Sequence, residues 1–293
     1  MGEGTSVSDM RDEMAEGTTN ATDAAAADSR NPAKRKSQWP EVYKISFDDL
    51  IEVTAAGIND FRAAPKYGLF FGGMYAVVGW LLLAMLWFFN LNYLVYPIAM
   101  GFALIAPFAS VGFYSVSDFL EQGKPLSWGA VFGAVRASVN RDLRWMALIT
   151  GFTFFMWIDY AMLIFLTFMG FDALGPQAFD LIFATPQGWM FLVAGHIAGA
   201  IVAIIVFSIS VVTYPMLYDR DIDFVTAMVT SVRLVIANPV TMLAWCAFIT
   251  VLTGLSLLSV FAGLFLMLPV LGHASWHLYR RAVGPQPRPA QSD

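Results

Sequence analysis

The sequence predicts an all-α, polytopic membrane protein with six transmembrane helices, and three observations lead there. Its 293 residues are 58% hydrophobic and only 13% charged, about half the charged share of an ordinary soluble domain, and mean hydropathy is +0.62. The apolar residues arrive in runs of about 20, the length at which a helix crosses roughly 30 Å of hydrocarbon. The basic residues occupy every second connection between those runs, which is how cytoplasmic loops are marked.

The chain opens with a segment that is not membrane-like. Residues 1–40 read as a disordered acidic tail, Gly-, Ser-, Thr- and Ala-rich, ending in the basic triplet Lys34–Lys36, which suits orientation or anionic headgroups next to the bilayer. Residues 41–283 are the membrane domain, and 284–293 a short disordered tail. The first apolar run follows more than 60 polar or mixed residues, so it is not a cleavable leader.

The predicted spans are Gly68–Phe89, Tyr93–Phe113, Trp145–Met169, Trp189–Thr213, Pro239–Leu257 and Ser259–Tyr279. The last two share one apolar run that as a single helix would reach about 60 Å, twice the bilayer core. A tight hairpin near Thr253, Gly254 and Ser256 resolves this. With both termini in the cytoplasm, all 17 Lys and Arg residues fall on the inner side, and an odd number of spans breaks the pattern. Trp87 and Trp189 sit at outer ends and Trp145 and Trp276 at inner ends, as interfacial anchors do. Pro97, Pro107, Pro215 and Pro269 punctuate the returning spans and kink them. The outer loop carries an apolar stretch, Ala178–Ala184, of a short interfacial or re-entrant helix.

The inner connections resemble one another. Leu126–Arg136 precedes the third span and Phe224–Arg233 the fifth; a third copy precedes the first, with Asp49 matching Asp223 and Ala64-Pro65 matching Asn238-Pro239. Each has helical periodicity: Trp128, Val131, Phe132, Val135 and Val139 share a face, as do Val225, Met228, Val229, Val232 and Ile236, and Leu50, Thr54, Gly57, Ile58 and Phe61. The implied unit, used three times, is an amphipathic interfacial helix followed by a transmembrane hairpin.

Polar groups at membrane depth are the candidate functional residues. Asp159 lies in mid-span three and His196 in span four, at roughly similar depth. Because an ionised carboxylate in hydrocarbon must be paired or neutralised, an Asp159–His196 pair is the candidate element of a solute or proton path. Gly195 and Gly199 flank the histidine as a small-xxx-small ridge for helix packing. The chain closes on His273, His277, Tyr279 and Arg280 near the inner surface, with Arg281 beside them. The histidines are four apart and share a face, a weak metal-ligand pattern, against hydrogen-bonding at the interface while the arginines meet phosphates. Asp219, Asp221 and Asp223 read as loop and helix-start charges, and lone Cys246 as a small buried hydrophobe. No phosphate loop, dinucleotide fingerprint, serine elbow or zincin motif is present, so catalysis is disfavoured and no cofactor is named. A net charge of −5 excludes a nucleic-acid-binding surface.

Pro269–Arg280 (PVLGHASWHLYR), Tyr214–Asp221 (YPMLYDRD) and Arg233–Pro239 (RLVIANP) resemble a bacterial family of predicted integral membrane proteins, domain of unknown function 2189, over roughly Phe47–Val283. The resemblance implies a bacterial inner-membrane location and brings no substrate or catalytic residue with it. Two functions follow from the residues: a small-solute or proton-coupled permease, on the strength of Asp159, His196 and the kinks, or a non-catalytic accessory or assembly protein, on the strength of the interface helices. The expected partners are the lipid bilayer and either further copies of the chain or a larger membrane complex.

Overall fold

The computed structural model describes residues 39–88, 110–139, 141–174 and 178–283. The acidic tail, the C-terminal tail and most of the Tyr93–Phe113 span, with Pro97 and Pro107, lie outside the described residues. The compact unit begins at Val42. Its elements are α1 (Phe47–Ala63), α2 (Pro65–Trp87), α3 (helical residues 110–121), α4 (Trp128–Ser138), α5 (Arg141–Met169), α6 (Ala178–Ala184), α7 (Pro186–Ser210), α8 (Thr213–Asp219), α9 (Phe224–Ala237), α10 (Pro239–Leu258) and α11 (Leu264–Ala282). A 3-10 turn at Phe171–Ala173 follows α5. The described residues contain no strand, only an isolated bridge between Val42 and Val283.

Four stretches are long and apolar enough to cross a bilayer: Pro65–Met85, Asp142–Met169, Pro186–Asp219 and Pro239–Leu258. The final helix α11 is not among them, because histidines, tryptophan and arginines dilute its C-terminal half. Its partner turn also lies later than the sequence suggests. Helix α10 runs through Thr253, Gly254 and Ser256 to Leu258, and the chain reverses at residues 259–263. Val260 and Phe261 make that turn with φ of 54° and 65°. The Trp80 indole donates to the Val260 carbonyl at 2.6 Å. Gly79 leaves room for the Phe261 ring, which a Cβ there would approach to 2.5 Å.

The three connector helices start alike. Ser46, Ser127 and Asp223 each accept a hydrogen bond from the backbone N–H three residues on, which satisfies a donor the first turn otherwise leaves bare. Ser46 and Asp49 form a reciprocal capping box. Asp49 and Asp223 are therefore not equivalent: Asp223 is a cap, whereas Asp49 stands three residues past one. At the other end the backbones coincide, with Ala64 at φ −137°, ψ 52° before Pro65 and Asn238 at φ −132°, ψ 54° before Pro239. Helix α1 has 17 residues and α9 has 14, so α1 is longer at its N-terminal end.

Part of the apolar face of α9 turns outward, although Met228 packs against the core. Val225, Val229 and Ile236 are exposed, while Ala227, Thr230, Ser231 and Leu234 are buried against the bundle. Small residues let α9 approach its neighbours closely, and larger ones are left on the outer surface.

The core gathers at one end of the spans. One cluster joins α1, α3, α8, α9, α10, α11 and the start of α5; a second joins the start of α2, the other side of α3 and Val131 of α4. Helix α11 is the hub, packed along α1 and α2. Its closest approach is at Gly57, where a Cβ would stand 2.7 Å from both Ala274 N and Val270 O. Trp276 is fully buried in this core and is not an interfacial anchor, whereas Trp145 and Trp189 are about half exposed, as anchors require.

Because backbone atoms occupy the space a methyl needs, Gly57→Ala forces α1 away from α11. It is expected to cost about 1–3 kcal/mol, read as a lowered midpoint of unfolding of the detergent-solubilised protein. Val260→Gly relieves a β-branched residue held at positive φ and is expected to stabilise by about 1 kcal/mol in the same measurement.

Candidate functional site around the final helix

The C-terminal half of α11 presents polar side chains in several directions, and each direction ends on a different helix. Toward α3, His273 Nδ1 is hydrogen-bonded to Ser117 Oγ at 2.8 Å, and the Trp276 indole donates to Glu121 at 3.0 Å. Arg280 donates to the same carboxylate through Nε and Nη2 at 3.1 and 2.9 Å. Toward α1, His277 Nε2 meets Asp60 at 2.7 Å, and Arg281 holds Asp49 at 3.0 Å and Glu52 at 2.6 Å. Toward α8, Tyr279 donates to Asp219 at 2.5 Å and accepts from Arg220 Nε at 2.7 Å. Arg280 Nη1 also lies 3.5 Å from Asp219.

Burial decides what this arrangement is worth. Exposed ion pairs contribute little, but Trp276, Tyr279 and His273 are fully buried and Arg220 nearly so. A buried donor deprived of its acceptor costs about 1–3 kcal/mol. Nearby, Asp118 accepts from Tyr218 at 3.1 Å and from Gln122. Burial pushes its carboxyl above the ordinary carboxylate range, with Asp219 adding to the rise. Asp49 moves the other way, held down chiefly by the hydrogen bonds it accepts from the Ser46 backbone and side chain.

The sequence expectations are partly rearranged here. His273, His277, Tyr279 and Arg280 do lie together on α11, but the arginines meet carboxylates of this chain where phosphates were expected. His273 and His277 serve different neighbours, Ser117 and Asp60. Among the described residues no three His, Cys, Asp or Glu side chains gather as a metal site. The acidic partners Asp49, Glu52, Asp60, Glu121 and Asp219 were missed by reading the chain linearly. A signal was available only for Glu121 and Asp219, which lie just beyond apolar runs, whereas Asp49, Glu52 and Asp60 lie on the connector helix ahead of the first one.

Asp159 and His196 are not brought together. Trp157, Ala161 and Ile164 of α5 face α7 across a groove of about 500 Å³ that His196, Gly195 and Gly199 also line. Asp159 is two residues beyond Trp157, about 200° around the helix, so it points away from α7. It is exposed and has no hydrogen-bond or ion-pair partner among the described residues. His196, also exposed, gives its Nδ1–H to the carbonyl of Leu192 at 2.6 Å within its own helix. A Cβ at Gly195 would meet nothing within 4 Å, and one at Gly199 would meet the Trp157 ring at 3.2 Å. The middle of the hairpin holding these residues is lightly packed: in the most apolar stretch of each span 6% of the residues of α5 and none of those of α7 are fully buried, while the start of α5 joins the core through Leu143, Met146 and Ala147. A charged carboxylate at mid-span costs about 3 kcal/mol on insertion scales.

Residues 95–219 match the model of a family described as predicted integral membrane protein, domain of unknown function 2189. The match takes in the start of the Tyr214–Asp221 motif and leaves the Arg233–Pro239 and Pro269–Arg280 motifs outside it, so it is shorter than the Phe47–Val283 extent expected from the sequence. No curated protein and no solved structure matches the chain.

Glu121→Leu removes the acceptor of the buried Trp276 indole and is expected to destabilise by about 1–3 kcal/mol, while Glu121→Gln, which keeps an acceptor oxygen, costs less; thermal unfolding of both variants checks this. The folded pKa of Asp49 lies below its unfolded value near 3.9. Its contribution is therefore intact above that value and lost as pH falls through the lowered folded one. Ser46→Ala, which removes the side-chain bond and keeps the backbone one, should flatten this acid limb in part in a pH series of unfolding midpoints.

Proposed function

We propose that this integral membrane protein is a non-catalytic assembly protein, in which a rigid group of helices around α11 holds out the α5–α7 hairpin to dock other transmembrane helices. The observation that carries this reading is the contrast between the two parts: polar groups of α11 are tied to α1, α3 and α8, whereas the most apolar stretches of the hairpin spans hold almost no fully buried residue and carry Asp159 outward. Intramembrane ionisable residues almost always face protein or a water-filled cavity, so an outward Asp159 is explained by a neighbouring helix. A permease path resting on an internal Asp159–His196 pair loses its motivation, because those side chains diverge within the chain.

In this reading the protein sits in a bacterial inner membrane, crosses it six times and keeps both ends in the cytoplasm. An even number of crossings is supported by the Val42–Val283 bridge and the Tyr43 N–H donated to Ala282 O at 2.9 Å, which join the two ends of the membrane unit. A return crossing between α2 and α4 is supported by the packing of Tyr67, near the start of α2, on Trp128, at the start of α4. The orientation rests on the distribution of all 17 Lys and Arg residues. Use of one unit three times is supported by the capped connector helices and the matching Ala64-Pro65 and Asn238-Pro239 junctions.

Gentle extraction of the full chain from native membranes, followed by quantitative mass spectrometry, tests the docking reading. A stoichiometric protein neighbour, whether another copy or a different chain, is expected, and its retention should fall when Asp159 is replaced by Leu. A lipid-only monomer, together with an Asp159-dependent solute or proton flux in proteoliposomes, would overturn it in favour of a permease.

A further inference from the structure

The hairpin carries two complementary groups that do not meet within one chain. Asp159 is ten residues from the end of α5 at Met169, and His196 ten residues from the start of α7 at Pro186. Both ends adjoin the same connection, so the side chains stand at the same depth, about 15 Å from it. Pairing them within one hairpin requires rotating α5 by about half a turn, which would remove Trp157 from Gly199. Two copies in one bilayer differ only by rotation about the membrane normal and translation within its plane, and both preserve depth. The carboxyl of one copy thus stands level with the imidazole of another.

Building on the docking reading, we propose that the hairpin binds a second copy of this chain, with the outer face of α5 seated in the α5–α7 groove of its neighbour and Asp159 hydrogen-bonded to the neighbour's His196. The groove supplies the seat. Gly195, Gly199 and Ala203 present little side-chain bulk along it, and a Cβ at Gly195 would meet nothing, which leaves room for a close helix approach. The incoming face supplies apolar bulk around the acid, with Phe152, Met156 and Leu163 all exposed. His196 is preset for the contact: its Nδ1–H is given to Leu192, so Nε2 remains to meet the carboxyl. A carboxylic acid donates to the bare nitrogen; a carboxylate accepts from the imidazolium. Because the two surfaces are different faces of the hairpin, the contact is head-to-tail and closes as a ring of copies.

The test uses the full chain in lipid nanodiscs and proteoliposomes. Native mass spectrometry is expected to give a closed oligomer, whose fraction falls at least tenfold in Asp159→Leu and in His196→Leu and returns in the exchanged double variant D159H/H196D, a recovery that a merely misfolded single variant would not allow. In a Cys246→Ser background, mixing Leu163→Cys copies with Val193→Cys copies is expected to give a disulfide between chains, since both positions are exposed and each lies about one turn from its polar residue on the same side. An oligomer unaffected by all three variants, or a disulfide absent from the mixture, overturns the proposal. A different stoichiometric protein released by Asp159→Leu overturns self-association but leaves the docking reading standing. A lipid-only monomer overturns both.

Discussion

Buried hydrogen-bond donors on one helix are the constraint around which the described part of this protein is arranged. Trp276, Tyr279 and His273 have no access to water, so polar atoms there are met from neighbouring helices, His273 Nε2 excepted. Glu121 answers Trp276, Asp219 answers Tyr279, and Ser117 answers one nitrogen of His273. Once those contacts are made, α3 and α8 have little freedom to slide along α11. Arg281 with Asp49 and Glu52, and His277 with Asp60, tie α1 at two points along its length.

Close backbone approach makes those contacts possible. Side chains of this reach connect helices only if the axes are near, and Gly57 and Gly72 remove the obstacles on α1 and α2. Pro269, inside α11, fills the space beside Gly68 and Gly72, so it is a packing residue. On the far side of α11, the Phe113 ring occupies the position that a Cβ on Gly272 would take. Small residues and polar termini thus act together, the first bringing helices close and the second setting their register.

The same reasoning explains why the α5–α7 hairpin differs. Its outer half contains no buried ion pair with the hub among the described residues, and its contact with α10 is limited to residues such as Thr250 beside the groove. Apolar surface in lipid carries no penalty, so a bare span is stable there. A carboxyl group does carry one, which is why Asp159 singles out one face of an otherwise uniform helix.

Much of this was legible in the chain itself. The membrane class, the connector helices, the short Ala178–Ala184 helix and the grouping of His273, His277, Tyr279 and Arg280 on one helix follow from hydropathy, periodicity and spacing, which are local properties of consecutive residues, whereas the capping roles of Ser46 and Ser127 emerge from the structure. The position of the last hairpin turn was less accessible, because Trp80 and Gly79 on another helix hold Val260 and Phe261 in an unusual backbone conformation. The acids that answer α11 were hidden for the same reason: Asp60 and His277 are separated by 217 residues, and no local pattern links them. Depth along a span can be counted from sequence, which puts Asp159 and His196 at roughly similar depth. Which way each side chain points depends on the rotation of α5 against α7, set by Trp157 packing on Gly199, and only the tertiary structure decided that.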